Sequence, residues 1–228
     1  MKILVLLKAV PDLKALSVSK GQERVFEKAP RVMNPSDRQA LEAALQLRET
    51  AGGTVAAILP GRAEDERVLR ETLAVGGDEA HHILIPEVDG GDSLSHTHLM
   101  GSLLRKLAPF DLILCGGASE DNVPAQTGPR LAEFLGIPQA TGVRKILSAD
   151  NGAVEVERLP LDPPSDTPVR ISIALPALLT VEEGAFTPRI PNAIRIMKAA
   201  RIPINPYEAD SLEQVPPAAI VRRFYVVE

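Results

Sequence analysis

Four apolar runs of strand length, each followed by a segment with helical spacing, alternate along the chain up to Leu135. The runs are continuous, as in parallel strands that are covered on both faces. Four strand–helix pairs in succession predict an α/β fold with a doubly wound, mainly parallel, Rossmann-like sheet and right-handed crossovers. The predicted strands are Ile3–Leu7, Thr54–Leu59, His81–Ile85 and Asp111–Cys115. The predicted helices are one from Asn34-Pro35 to Gly52, Glu64–Val75, Ser95–Leu107 and one from near Pro124 to Gly136.

After Pro138 the pattern changes from strand–helix pairs to strands alone. Val143–Leu147 and Ala153–Arg158 flank Asp150-Asn151-Gly152, which is a strong hairpin signal. Two further strands are predicted at Val169–Ala174 and Ala177–Val181.

The segment beyond Val181 is rich in proline and has one predicted helix, near Asn192–Ala200. A tail of this kind is either disordered or packed on another subunit, and its aliphatic residues favour packing. We therefore predict an α/β nucleotide-binding domain over residues 1–184 and a C-terminal arm over residues 185–228 that packs on a partner subunit.

Composition excludes several classes of protein. A net charge of −5 and only 3% aromatic residues argue against nucleic-acid binding, which needs cations and stacking surfaces. The single cysteine, Cys115, cannot form an internal disulfide and suits a reducing cytoplasm. The amino-terminal apolar run is followed by Pro11 and Asp12 rather than by a cleavage site, so we interpret it as a strand. No apolar run is long enough for membrane insertion, and we expect a cytoplasmic protein.

The stretch Asp111–Leu135 contains the best candidate binding loop. A strand that opens through Gly116-Gly117 onto a helix leaves free backbone N–H groups, which favour an anion. Gln126 and Thr127 would add side-chain donors in the first helical turn. The acids of the loop are better suited to a ribose hydroxyl or an adenine amino group. The alternative is an ordinary strand–helix turn with a polar surface.

A second helix start, Asn34-Pro35-Ser36-Asp37, is predicted to aim its N-terminus at the same cleft or to be no more than a good helix cap. Ser36 and Gln39 have the spacing of a capping box.

Catalytic and metal sites are not indicated. The four histidines are His81, His82, His96 and His98, and no cysteine or carboxylate stands at ligand spacing around them. Adjacent strand residues such as the first two point to opposite faces. The chain has no nucleophile elbow or clear acid–base pair, so we predict no enzymatic activity and a structural role for Cys115.

Taken together, the motifs resemble the beta subunit of electron-transfer flavoproteins over nearly the whole chain. The matching segments are KAVPD (Lys8–Asp12), NPSD with ALEAALQLRE, LRETLAVGGDEAHHI (Leu69–Ile83), Asp111–Thr141, LPALLTV (Leu175–Val181) and PRIPNAIRIMKAA (Pro188–Ala200).

The resemblance implies an electron-carrier subunit that forms a heterodimer with an alpha subunit. In that family the alpha subunit holds most of a redox-active FAD, and the beta subunit holds AMP or, in the flavin-bifurcating branch, a second FAD. A transient redox partner, such as an acyl-CoA dehydrogenase-like flavoenzyme, is also implied.

The resemblance also assigns residues. The nucleotide-binding positions are Leu6, Asn34, Pro35, Ser36, Asp37, Pro60, Gly116, Gly117, Ala118, Ser119, Glu120, Asp121, Asn122, Val123, Ala125, Gln126 and Thr127, with the last two on the phosphate. The partner-docking loop is Glu183, Gly184, Ala185, Phe186 and Thr187.

Two alternatives stay open at this point. Ala125-Gln126 followed by Gly128-Pro129 looks like the bifurcating branch with NADH as donor, whereas Thr127 looks like the AMP branch. A homomeric adenine-nucleotide-binding module of the universal-stress type is the other alternative, although such a module has no need for an apolar arm.

Overall fold

A mainly parallel sheet forms the centre of the fold. The computed structural model describes residues 1–15, 29–85, 93–121, 125–160 and 167–212. The strands are β1 (Lys2–Leu6), β2 (Ala9–Pro11), β3 (Arg31–Met33), β4 (Thr54–Gly61), β5 (Glu79–Leu84), β6 (Leu112–Gly116), β7 (Gln139–Asp150), β8 (Ala153–Arg158), β9 (Val169–Ala174), β10 (Ala177–Val181) and β11 (Asn205–Glu208). Nine of them form one sheet in the order β11-β5-β4-β1-β6-β10-β7-β8-β9, and β2 pairs with β3 separately. The ladders from β11 to β7 are parallel, and those of β8 and β9 are antiparallel.

Helices cover both faces of this sheet, which confirms the predicted doubly wound α/β fold. The helices are α1 (Pro35–Ala51), α2 (Glu66–Val75), α3 (Ser93–Leu107), α4 (Thr127–Leu135) and α5 (Ala193–Ala199). Ile3 and Val5 pack in one buried cluster with α1 and α2, while Leu4 and Leu6 pack in another with α3 and α4. None of the described helices is both long and apolar enough to cross a membrane.

The strand order reverses beside β1. The chain passes from β1 to β4 and β5 on one side, then returns through α3 to β6 on the other side of β1. In open α/β sheets this reversal leaves a crevice at the carboxyl ends of the strands, where ligands bind. The fold therefore places the end of β1 and the loop after β6 at one crevice.

The capping box predicted for Ser36 and Gln39 is not formed. Asn34 is the N-cap of α1, Pro35 is the first helical residue, and no side chain caps the helix. The Ser36 hydroxyl donates to the Ala118 carbonyl at 2.6 Å, and Gln39 Oε1 accepts the Phe186 N–H at 3.2 Å. Both side chains have tertiary partners, so the local bonds of a capping box are replaced.

The hairpin predicted at Asp150–Gly152 is present, and β7 and β8 pair antiparallel through it. Asn151 and Gly152 adopt φ values of 47° and 78°, as a two-residue turn with the right twist requires. β9 and β10 have the predicted bounds.

The described part of the arm lies on its own chain. Arg189 bonds Glu42 and Glu49 of α1, and Arg70 donates to the carbonyls of Ala199 and Ile202. Strand β11, which the sequence did not indicate, pairs in parallel with β5 at the sheet edge. These contacts leave an exposed apolar face, with exposures of 53% to 92%, made of Ile190, Ile194, Ile196 and Met197. Packing of this face on a partner subunit stays a prediction.

Candidate functional site

A pocket of about 380 Å³ opens at the carboxyl ends of β1, β4 and β6. It lies at the crevice beside β1, where the strand order reverses. Most of the residues predicted for the nucleotide line it. They are Leu6, Asn34, Asp37, Pro60, Gly116, Gly117, Ala118, Ser119, Asp121, Ala125, Gln126 and Thr127.

Other predicted residues lie elsewhere. Pro35, Ser36 and Glu120 are absent from the pocket wall, and Asn122 and Val123 fall outside the described residues. The predicted docking loop, Glu183–Thr187, follows β10 and also lies outside the pocket wall. Ala185 and Phe186 of that loop pack against the core.

Several residues of the pocket wall were not predicted from the sequence. Lys8, Ala9 and Pro11 belong to the KAVPD segment, so that motif was a signal that could have found them. Arg31, Ile85, His96 and Met100 stand in no motif, and only the fold brings them to the pocket.

Asn34 and Ser36 hold the loop that follows β6. The Ala118 carbonyl accepts from Asn34 Nδ2 at 2.9 Å and from Ser36 Oγ at 2.6 Å. Asn34 Oδ1 in turn accepts the Glu120 N–H at 3.2 Å. The start of α1 therefore holds the loop after β6 in place, and Ser36 contacts this loop without lining the pocket.

Asp37 ties three elements together from a buried position. Its carboxylate accepts the Lys8 N–H at 2.8 Å and the Gly116 N–H at 2.9 Å. Burial raises the pKa of Asp37 to about 7, against the lowering effect of these hydrogen bonds. The side chain thus joins the end of β1 and the end of β6 to the first turn of α1.

The raised pKa of Asp37 predicts a pH-dependent stability. The folded protein holds a proton that the unfolded chain releases above its ordinary pKa of 3.8, so the free energy of unfolding falls as the pH rises towards about 7. Asp37→Asn cannot titrate. Between pH 5 and pH 8 the wild type should lose about 2 kcal/mol more stability than the variant. Urea unfolding of both proteins at both pH values measures this, and equal pH dependence would contradict it.

Two glycines permit close approaches at the pocket. A Cβ at position 116 would lie 2.6 Å from Asp37 Oδ1, and one at position 128 would lie 2.6 Å from Thr180 Cγ2 and 3.0 Å from Cys115 Sγ. Gly128 therefore lets the first turn of α4 rest directly on β6 and β10. This contact brings the N-terminus of α4 to the pocket.

The first turn of α4 offers donors to a ligand. Thr127 and Gly128 are its first two residues, and backbone N–H groups at such positions have no acceptor within the helix. Gln126 is the N-cap, and this first turn contains no acidic residue. Ala125, just before it, has a φ of 52°, a strained backbone conformation of a kind found at binding sites. The arrangement suits an anion.

The cations of the pocket wall are already paired. Lys8 Nζ lies 2.5 Å from Asp121 Oδ1, and Arg31 Nε lies 2.8 Å from Asp65 Oδ1. Cys115 is buried at the end of β6, and burial raises the pKa of its thiol. Neither a free cation nor a reactive thiol is presented by the described wall.

Of the four histidines, His96 alone lines the pocket. His81 and His82 are buried in β5, and burial lowers the pKa of both rings. His81 Nδ1 lies 3.2 Å from the Tyr207 hydroxyl, and His98 packs edge-on against Phe134. The four rings thus occupy separate surroundings.

Comparison with known proteins gives consistent matches. Residues 24–212 match the Electron transfer flavoprotein domain. The chain is 36% identical to the electron transfer flavoprotein subunit beta of Bacillus subtilis, with 93% of this chain and 81% of the relative covered. It is 35% identical to the subunit of the same name from Thermoanaerobacterium thermosaccharolyticum, over 87% of this chain and 75% of the relative. It is also 30% identical to the Caffeyl-CoA reductase-Etf complex subunit CarD of Acetobacterium woodii, over 96% and 82%.

Proposed function

The chain belongs to the electron transfer flavoprotein family, and we propose that it is the beta subunit of a heterodimer that holds an adenine mononucleotide in the pocket beside β1. The alpha subunit would hold the redox-active FAD, and this subunit would complete its surroundings. The bound AMP would be structural and take no part in the redox chemistry. The chain itself would carry out no bond-making step, in keeping with its relatives, which are electron-transfer subunits.

The observation that carries this proposal is the pocket at the strand reversal, walled by a loop that α1 holds in place. Its volume of about 380 Å³ is at the small end of the range for small-molecule sites, which favours a mononucleotide over a second FAD. The apolar side chains of Leu6, Pro60 and Met100 offer surface for a base. The α4 N-terminus offers donors for a phosphate.

The phosphate would be held by neutral donors. Lys8 and Arg31 are engaged with acids, which leaves the backbone of the α4 N-terminus and the side chains of Gln126 and Thr127. Helix N-termini bind phosphate through the same combination of free N–H groups and the helix dipole. A single phosphate matches the small number of donors in this first turn.

The proposal is tested first by the small molecules that the purified protein releases on denaturation. Mass spectrometry should find AMP. FAD released from this subunit would instead favour the bifurcating alternative. A stable, nucleotide-loaded homodimer with no flavoprotein partner would favour a homomeric module.

Replacement of Thr127 tests the position of the phosphate. Thr127→Val removes one hydroxyl donor and keeps the shape of the side chain, so nucleotide binding should weaken by about 1–3 kcal/mol. Thr54→Val is the matched control, because Thr54 is exposed at the opposite end of the sheet, where β4 begins. The AMP retained after gel filtration is the measurement. Equal retention of AMP by both variants would show that the Thr127 hydroxyl does not bond the phosphate.

The exposed apolar face of the arm supports the heterodimer. Its four side chains stand within eight residues, Ile190–Met197, whereas Val169 is the one other large apolar side chain exposed among the described residues. Exposed apolar side chains clustered in this way favour an interaction site. Docking of a transient redox partner is assigned to the loop Glu183–Thr187, which presents Glu183 and Gly184 to solvent.

A further inference from the structure

Arg31 lines the pocket, although no sequence motif indicates the strand β3 to which it belongs. It begins β3, opposite Pro11 of β2, and its side chain lines the pocket. Its Nε donates to Asp65 Oδ1 at 2.8 Å, and its Nη2 donates to the Ala9 carbonyl at 2.7 Å. Asp65 is fully buried, and its other oxygen accepts the Arg62 N–H at 3.0 Å. The guanidinium is therefore fixed in one orientation.

The fixed guanidinium has donors to spare. A guanidinium has five N–H groups, and the bonds to Asp65 and Ala9 use two of those of Arg31. The side chain of Arg31 is 19% exposed, and it lines the pocket. Among the described residues no further acceptor binds this guanidinium, so its remaining N–H groups are available to a ligand.

The charge of Arg31 is balanced by the buried carboxylate of Asp65. A neutralised guanidinium attracts a phosphate less than a free one does, but its N–H groups still bond neutral acceptors such as ring nitrogens and carbonyl oxygens. Its rigid fork also makes it better suited than an ammonium group to recognise a planar edge. Arg31 therefore has the properties of a residue that recognises a nucleotide base through hydrogen bonds.

The position of Arg31 relative to the strands of the central sheet agrees with this role. Its two partners follow β1 and β4, whereas Gln126 and Thr127 follow β6 on the other side of β1. If the phosphate lies at the α4 N-terminus, as the proposed function has it, the other end of the nucleotide lies on the side of Arg31.

We propose that Arg31 is a specificity-determining residue that donates hydrogen bonds to the ring nitrogens of the bound base, and that Asp65 is the residue that positions it. This inference rests on the proposed function, because it takes the phosphate to lie at α4. It adds to the site a contact that depends on β3 and on the turn before α2.

Two variants test the role of Arg31 without exposing an unpaired buried charge. Arg31→Lys keeps a cation beside Asp65 but lacks the fork of donors. The double variant Arg31→Met with Asp65→Met replaces the ion pair by apolar side chains, an exchange that proteins often tolerate. Arg62→Met is the control, since Arg62 neighbours Asp65 but does not line the pocket. Circular dichroism and thermal unfolding establish that each full-length variant is folded.

Calorimetric titration of each variant with AMP and with ribose 5-phosphate, which lacks the base, then measures how strongly each ligand binds. Both variants should bind AMP at least about tenfold more weakly than the wild type and bind ribose 5-phosphate equally well. Equal loss for both ligands would assign Arg31 to the phosphate, and unchanged AMP binding would remove it from the site; either result overturns the proposal. A wild-type chain that binds neither ligand would overturn the proposed function itself.

Discussion

Gly116→Ala is expected to destabilise the protein by about 3 kcal/mol and to empty the pocket of the proposed nucleotide. The new Cβ would lie 2.6 Å from Asp37 Oδ1 and 2.7 Å from Ser36 Cβ, so the end of β6 and the start of α1 must separate. That movement breaks the bond from the Gly116 N–H to Asp37, which is 2.9 Å long in the native protein. Asp37 would keep the Lys8 N–H as a partner but lose its link to the binding loop.

Gly117→Ala is the matched control for this prediction. Among the described residues, a Cβ at position 117 meets only the Val181 carbonyl oxygen, at 3.3 Å, and the position has no positive φ. We expect a loss of stability below about 1 kcal/mol. Urea unfolding of both variants measures this difference, and mass spectrometry of the nucleotide released from Gly116→Ala measures the loss of the ligand. Equal stability of the two variants would mean that the contact between α1 and β6 does not support the pocket.

The pair of substitutions Ile194→Asp and Met197→Asp is expected to abolish association with the alpha subunit. Burial of each side chain at an interface contributes about 1.5–3 kcal/mol, so the double variant should bind at least about a hundredfold more weakly. The isolated subunit should keep its unfolding temperature, because both side chains are more than half exposed in it. Co-purification with the co-expressed partner subunit, followed by gel filtration, is the measurement.

Val169→Asp controls for the loss of any exposed apolar side chain. Val169 begins β9 at the far edge of the sheet and is 39% exposed. It should leave the heterodimer intact. A complex of normal yield from the double variant would refute the role of the arm in binding the alpha subunit. Loss of the complex in Val169→Asp would show that the effect is not specific to the arm.

The layers of the fold follow from the sequence alone. Strands such as Ile3–Leu7 and Asp111–Cys115 could be predicted because parallel strands buried on both faces are continuous apolar runs. Helix ends at Gly52 and Gly136 could be predicted because both glycines adopt positive φ, which other residues rarely do. Strand β11 could not be predicted, because its residues NPYE carry no apolar pattern and Pro206 is tolerated only at a sheet edge.

Local pattern also indicated the loop after β6 as a candidate site but did not predict how this loop is held. Ser36 and Gln39 have the spacing of a capping box, yet their partners are Ala118 and Phe186, which are remote in the sequence. The capping-box rule considers only residues that are neighbours along the chain. A side chain bonds a remote partner instead when the fold brings that partner within hydrogen-bonding distance.

Sequence therefore sufficed for what depends on nearest neighbours: the apolar strands, the helices, the loop after β6 and the likeness to a flavoprotein subunit. Which remote side chains meet at the pocket follows from the tertiary structure. Arg31 lies in a segment without any motif, and it reaches the pocket because β3 pairs with β2 and Asp65 holds its guanidinium. Such contacts depend on the relative placement of whole elements, which burial of the two apolar faces of the sheet sets and no short pattern records.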